Sequence, residues 1–271
     1  MTYFGFLLRF LVIPIFILTG ITLWNKRRGR KRAAVLSATS IGLGIGIHVL
    51  IALLYTTPWD NYLVATGVWW YDTSLVTGLV LGWVPIEEYT FFILQPILVG
   101  VWLVLLSQIL SFRDEPLRAA LRWWMPVLVG IVWLGSVVIL LTGKQAGTYM
   151  ALLLAWALPP VILQLAFGAD ILWRYRRIVF LSIVPVTLYL ALTDALAINA
   201  GTWTIDPAQS FNIFLGGVLP IEEFAFFLMT NVLLTFGITL VWAEASHERL
   251  AAYRERLQQR LSKNKRAIPE G

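Results

Sequence analysis

Pro85-Ile86-Glu87-Glu88, followed by YTFFIL, and Pro220-Ile221-Glu222-Glu223, followed by FAFFLM, decide how this chain reads. The same four residues recur 135 positions apart, each time opening an aromatic, apolar segment long enough to cross a bilayer. Proline suits the first helical turn, where its missing N–H costs nothing. Both blocks therefore mark helix starts with two acids in the first turn. A charge at mid-bilayer costs about 2.5–3.5 kcal/mol on insertion scales, so acids placed there read as functional.

The composition around the two blocks is that of an integral membrane protein. Of 271 residues, 59% are hydrophobic and 13% charged, and the mean hydropathy is +0.77. A soluble domain of this length has no interior large enough for that much apolar surface. There is no cysteine, which removes disulfides, thiolate metal sites and thiol catalysis. Two histidines leave little scope for a His-based metal centre, and no metal is expected.

Seven stretches are long enough to span as helices, over 3–24, 33–55, 85–110, 124–142, 149–168, 178–198 and 217–243. The short apolar run Leu75 to Val84 either extends the third helix or lies at the interface. The N-terminal run from Tyr3 to Trp24 is too long for a cleaved signal, and its basic cluster follows it. Alternate connections collect Lys and Arg: 19 of 21 lie in Lys26–Arg32, Arg113–Arg122, Arg174–Arg177 and the tail beyond Glu244. Only Lys144 falls in an opposite connection, and Arg9 lies within the first span. The positive-inside rule then places the N-terminus outside and the C-terminus inside. The net charge of +6 is thus a topology signal, not a nucleic-acid one, and the charged tail helix reads as lying near anionic lipid headgroups.

The duplication reaches beyond the glutamates. Asp60 precedes Trp69 by nine residues, with Gly67 between; Asp194 precedes Trp203 by nine, with Gly201 between. A further aspartate, Asp72 or Asp206, follows each Trp by three. The offset relates the second span to the sixth and the third to the seventh, an even number of spans, so the copies share one orientation. The expected fold is an all-α bundle of about seven transmembrane helices, with two parallel repeats joined by a linker helix. The expected division is a first half-domain over 1–112, a linker over 113–145, a second half-domain over 146–243 and a basic cytoplasmic tail over 244–271.

Neighbouring residues on a helix point about 100° apart. One glutamate of each pair therefore faces a site, while the other holds a loop or pairs with Arg9. The candidates for proton chemistry are Glu87, Glu88, Glu222, Glu223, Asp60 and Asp194. Phe91, Phe92, Phe226 and Phe227, one turn further along, and Trp69 and Trp203, in the loops, are candidates for substrate contact. Acids beside aromatic walls suit a cationic intermediate: the acid supplies a proton, and ring faces stabilise positive charge without attacking it. Plainer readings exist for each group. Glutamates complement a helix dipole, aspartates cap turns, and tryptophans populate the interfacial belt. His48 has no counterpart in the second half and reads as packing.

At these residues the chain resembles the integral-membrane lycopene cyclases: the small heterodimeric enzymes of some bacteria and their fused relatives in archaea and fungi. The resemblance rests on Asp60 with Trp69 and Pro85-Ile86-Glu87-Glu88, and again on Asp194 with Trp203 and Pro220-Ile221-Glu222-Glu223. It covers nearly the whole chain and corresponds to the fused form. The resemblance implies a multi-pass enzyme of the cell membrane, an isomerase that converts lycopene through gamma-carotene to beta-carotene without net redox change. It implies an acid that protonates the terminal double bond of a ψ end group. Glu87 and Glu222 come first as donors, Glu88 and Glu223 as partners or acceptors, and Asp60 and Asp194 as positioning or reprotonating groups. The implied partners are lycopene or a similar acyclic carotenoid, membrane lipid and other carotenoid enzymes.

No Gly-x-Gly-x-x-Gly follows a strand, so no tightly bound flavin or other cofactor is expected. Gly42-x-Gly44-x-Gly46 lies within a span and reads as close helix packing. Rival readings are a retinal protein, a proton-coupled transporter, and a cyclase or hydratase acting on C50 or ε-type end groups. The first needs a lysine in the last span, and none occurs between Gln145 and Ser262.

Overall fold

The computed structural model describes residues 1–112, 115–143 and 145–266, with side chains described as far as Ser262. Arg113, Lys144 and the last five residues of the tail, used above in the charge and domain readings, lie outside the described residues. Among the described residues, seven helices are long and apolar enough to cross a membrane. The first span, Tyr3–Arg27, is built of α1 (Tyr3–Leu7) and α2 (Ile13–Arg27), joined by a π-helical turn at Leu8–Val12. The others are α3 (Ile41–Ala65), α4 (Ile86–Ile109), α5 (Leu121–Leu141), α6 (Thr148–Arg174), α7 (Arg176–Asn199) and α8 (Ile221–Trp242). A polar helix, α9 (Glu244–Arg266), follows.

Several span boundaries differ from the sequence reading, and the fifth span runs six residues further than expected, to Arg174. The second span was expected to end at residue 55, but α3 continues to Ala65. Its polar residues are accommodated within the bundle. Thr57 Oγ1 donates to the Leu53 carbonyl at 2.5 Å, and Asn61 Nδ2 donates to Thr57 O and to Tyr89 Oη, each at 2.9 Å. Asp60 is therefore a helix residue and not a loop residue. The last span begins at Ile221, and residues 217–220 belong to a hairpin.

The run Leu75 to Val84 does not lengthen the third helix. It forms a loop closed by a small hairpin of β2 (Val80–Leu81) and β3 (Val84–Pro85). Gly78 and Gly82 adopt positive φ, which breaks any helix there. Leu79, Val80, Leu81 and Trp83 are exposed on it. The second block has a matching hairpin, β5 (Phe214–Leu215) with β6 (Leu219–Pro220). Between each helix and hairpin runs a three-residue strand, β1 (Trp69–Tyr71) and β4 (Trp203–Ile205), and these two pair antiparallel with each other. The order helix, ribbon strand, hairpin, helix thus occurs as α3-β1-β2-β3-α4 and as α7-β4-β5-β6-α8.

The centre of the bundle is the α4/α8 contact, where the Phe91 and Phe227 rings meet edge to face, with centroids 6.2 Å apart. Gln95 Nε2 donates to Thr230 Oγ1 (2.9 Å) and Asn231 Oδ1 (3.2 Å), and Asn231 Nδ2 donates to Thr187 Oγ1 (3.1 Å). These bonds tie α4, α8 and α7 in an environment where an unmatched amide is costly. Of the glycines at 42, 44 and 46, only Gly44 is at a close approach: a Cβ there would stand 2.1 Å from the Trp242 indole nitrogen. α5 is the least buried of the seven spans and packs chiefly along α6.

Candidate active site

The first turns of α4 and α8 hold the two glutamate pairs, with Pro85 and Pro220 as extended N-cap residues. The helix rotation separates the members of each pair, as their spacing requires. Glu87 Oε1 accepts the backbone N–H of Thr77 at 2.7 Å, and Glu222 Oε1 accepts that of Phe211 at 2.6 Å. These two glutamates brace the chain leading into each hairpin and do not line the central cavity. Glu88 and Glu223 do line it, and Asp60 from α3 and Asp194 from α7 join them there. The six acids singled out in the sequence thus divide into four around one cavity and two behind it.

The cavity measures about 50 Å³. Phe91, Phe92, Phe226, Phe227, Trp69 and Trp203 all line it, as do Tyr3, Trp59, Tyr71 and Tyr149. The β1/β4 ribbon crosses it, with Tyr71 opposite Trp203 and Trp69 opposite Ile205. Asp72 N donates to Thr202 O (3.1 Å) and Asp206 N to Val68 O (2.8 Å), which extends the ribbon at both ends. The side chains of Asp72 and Asp206 cap their own turns through Ser74 N and Ala208 N, and so act in the plainer role.

Phenols hold the cavity glutamates. Glu88 Oε2 accepts from Tyr71 Oη at 3.1 Å and from Tyr3 Oη in a short bond. Glu223 Oε1 accepts from Tyr149 Oη at 2.7 Å. Burial beside Glu88 and Asp60 pushes the Tyr71 phenol well above its ordinary value, so it remains a donor at neutral pH. The Trp203 indole N–H donates to Asp194 Oδ1 at 3.1 Å, whereas that of Trp69 donates to Tyr71 Oη at 3.1 Å. The second carboxyl oxygens of Asp60, Asp194, Glu87 and Glu222 are buried without a hydrogen-bond partner among the described residues. Arg9 is exposed, its guanidinium 3.6 Å from the Met1 sulfur. It does not pair with a glutamate, and the charge of the site is managed by phenols, an indole and backbone amides. Among the described residues, no cluster of three or more His, Asp or Glu is arranged to hold a metal ion.

The tyrosines were not singled out in the sequence, although a signal was there. Thr2-Tyr3 and Thr148-Tyr149 open two spans with the same dipeptide, and each tyrosine bonds the glutamate of a different helix. The halves are not identical. At the offset that carries Asp60 onto Asp194, Tyr71 falls on Ile205 and Trp59 on Thr193, so Glu88 has two phenol donors and Glu223 one.

Six of the seven membrane-length helices found among the described residues line the chamber that gathers four carboxyls among aromatic rings, which defines a polytopic membrane protein with clustered acids inside its bundle. Comparison with known proteins gives that class a family. Over 199 residues the chain is 43% identical to a lycopene beta-cyclase of Halobacterium salinarum, covering 73% of this chain and 81% of that one. It is 36% identical over 208 residues to a bifunctional lycopene cyclase/phytoene synthase of Podospora anserina, covering 73% of this chain and 35% of that longer one. A protein of the same description from Colletotrichum graminicola is 36% identical over 198 residues, 70% of this chain and 34% of that one. The chain belongs to the lycopene cyclase family. No family model matches it, and no solved structure does.

Proposed function

We propose that this chain is a lycopene beta-cyclase of the cell membrane, converting lycopene to beta-carotene through gamma-carotene by acid-initiated ring closure. The observation that carries this reading is the convergence of Asp60, Asp194, Glu88 and Glu223 on a single cavity walled by aromatic faces. Family membership supplies the substrate class, and the cavity supplies the means.

The reaction needs a proton given and a proton taken. Protonation of the terminal double bond of a ψ end group leaves a tertiary cation, which the internal double bond attacks to close a six-membered ring. Loss of a ring proton then gives the β end group, so the chemistry is an isomerisation with no net change in protons. We assign the donor role to Asp60 and Asp194, which line the chamber and each carry a buried Oδ2 with no hydrogen-bond partner among the described residues. A carboxyl in that position avoids an unsolvated charge by carrying the proton. Glu88 and Glu223, held as acceptors by phenols, take the role of base. The four phenylalanines and the tryptophans stabilise the cation through their faces and keep water from quenching it. Glu87 and Glu222 hold the hairpins over the chamber. This ordering differs from the one that the family resemblance implied, and it is supported by the second glutamate of each pair lining the cavity.

Both halves contribute to the same chamber, which favours one composite centre over two separate ones. The duplicated order of elements supports descent from two half-domains, 1–112 and 146–243, with α5 as the linker. The basic connections lie at the opposite end from the acids, which supports an outward-facing site.

The test is pigment analysis in lycopene-accumulating cells that express the parent and the variants Asp60→Asn, Asp194→Asn, Glu88→Gln and Glu223→Gln. Bicyclic product from the parent, reduced by about 10²–10⁴-fold in rate in the variants, is expected for loss of a general acid or base. Unchanged lycopene with a well-inserted parent would overturn the assignment and direct attention to longer or hydroxylated carotenoids.

A further inference from the structure

We propose that the polyene arm of the substrate lies in one particular groove, between α3, α4, α6 and α8, and that no equivalent groove serves the other half of the protein. The inference rests on the cyclase reading and adds a binding site to it. A hollow of about 170 Å³ opens between these four helices, lined from His48 to Thr56 on α3 and down to Leu234 on α8. Phe92 and Phe226 line both this hollow and the acid chamber, so the two are separated only by shared side chains. From His48 in the groove to Asp60 in the chamber, α3 rises about 18 Å at 1.5 Å per residue, a suitable path for an extended conjugated chain.

A ladder of parallel aromatic faces runs along the groove into the chamber. Tyr55 stacks on Trp156 (5.6 Å, 21°), Trp156 on Trp59 (4.4 Å, 16°) and Trp59 on Phe226 (6.0 Å, 6°). The rings are fixed before any ligand arrives. Tyr55 Oη donates to Trp156 O (2.9 Å), Trp156 Nε1 to Tyr55 O (3.3 Å) and Trp59 Nε1 to Leu152 O (3.2 Å). Rings already stacked on one another form a rigid apolar wall that presents their edges, so little ordering remains to oppose the binding of a conjugated polyene along it. The amide nitrogens along the groove are engaged by its own wall, Gln95 donating to Thr230 and Asn231 and Gln164 to Leu233 O, while Gln164 Oε1 is buried with no partner among the described residues.

The opposite flank lacks this construction. A hollow of about 310 Å³ lies there between α2, α4 and α7, lined by residues such as Leu18, Trp102, Val186 and Tyr189. It is larger, yet it shares no lining residue with the acid chamber. Tyr189 repeats Tyr55, donating to Phe10 O at 2.9 Å, but the position that matches Trp59 is Thr193, so the ladder is missing. One bed beside one chamber means that each end of a C40 chain must enter by the same route. The half-cyclised product then leaves the groove and re-enters reversed before the second closure.

Two matched substitutions test this, because Ala52 and Val186 occupy corresponding positions in the two hollows. Ala52→Phe and Val186→Phe would be purified in lipid nanodiscs and checked for equal thermal stability. Lycopene binding would be read by quenching of tryptophan fluorescence, and turnover by early-time product analysis. Ala52→Phe is expected to weaken lycopene binding and kcat/KM by about tenfold or more, and Val186→Phe by less than about threefold. Ile51→Phe, in the same groove, repeats the measurement should Ala52→Phe prove unstable. With lycopene in excess, monocyclic product is expected to leave the enzyme before bicyclic product appears. Equal effects of the two substitutions, no effect of Ala52→Phe as for a groove filled by lipid chains, or bicyclic product without released monocyclic product would each overturn the proposal. A parent that binds lycopene with this pattern but does not cyclise it would overturn the functional reading and leave the groove assignment standing.

Discussion

The Tyr149 hydroxyl, in the first turn of α6, donates to Glu223 Oε1 at 2.7 Å and is the phenol that holds this glutamate, whereas Glu88 is held by both Tyr3 and Tyr71. The two sides of the chamber are therefore unequally supported. A hydrogen bond to a charged group contributes about 1.5–3 kcal/mol, so Tyr149→Phe should slow cyclisation by about 10–100-fold. Tyr3→Phe leaves Glu88 with Tyr71 and should slow it much less. Initial rates in membranes with matched protein levels decide this. Equal losses in the two variants would show that the second phenol on Glu88 gives no protection.

The bracing role of Glu87 and Glu222 predicts a different kind of defect. Each accepts a single backbone N–H, from Thr77 or Phe211, at the entry to a hairpin. Glu87→Ala removes that acceptor and should raise hydrogen exchange across residues 77–85 while leaving exchange in α8 unchanged. Part of the activity should survive, in contrast to Glu88→Gln. Complete loss of activity with an undisturbed hairpin would make Glu87 a proton-transfer group after all.

How far the sequence was legible depends on the physics behind each feature. The seven spans were visible because a bilayer demands long apolar runs, and the errors fell where polar residues are satisfied inside the bundle, as with Thr57 and Asn61 in α3. The hairpins were invisible because their strands are two residues long and positive-φ glycines set them, not an alternating pattern. Duplication brought Asp60, Asp194 and the glutamates into view, and helix geometry required the members of each pair to diverge. Which member faces inward depends on how α4 packs against α8, and that lies outside the local sequence. Tyr3 and Tyr149 were passed over because a tyrosine near a span end also fits the interfacial belt.

Packing at the opposite end of the bundle gives a stability prediction. Gly44 stands where any Cβ would collide with the Trp242 indole, while Gly42 and Gly46 face open space. The Trp242 ring is also covered by the Arg32 guanidinium, 4.8 Å from its centroid, which limits its freedom to move aside. Gly44→Val should destabilise the protein by about 1–3 kcal/mol through overpacking, with Gly42→Ala and Gly46→Ala close to neutral. Thermal unfolding in detergent separates the three. A stable Gly44→Val would mean that α3 and α8 tolerate a wider separation than their contact suggests.

The junction between the bundle and α9 is held by a charge pair at the edge of the bundle. Asp170 of α6 is buried and accepts from both Arg249 terminal nitrogens, Nη1 at 2.9 Å and Nη2 at 2.6 Å. The same guanidinium donates to the Phe167 carbonyl just before a bend at Gly168, where the α6 backbone departs from helical geometry. Arg122 Nη2 meets Tyr253 Oη at 2.9 Å further along α9. Removing one partner of a buried pair leaves the other charge uncompensated and costs about 3–5 kcal/mol when burial is complete. Arg249 is 11% exposed, so the effect should fall below that range. Asp170→Ala should release α9, so that trypsin cleaves within 249–260 at a rate well above that of the parent. Asp170→Ala with Arg249→Leu should be less destabilised than Asp170→Ala alone, since no orphaned cation remains. Cyclisation should persist in both variants, because this junction shares no residue with the acid chamber. Unchanged proteolysis in Asp170→Ala would show that Arg122–Tyr253 and the apolar contacts of α9 hold the helix without the ion pair.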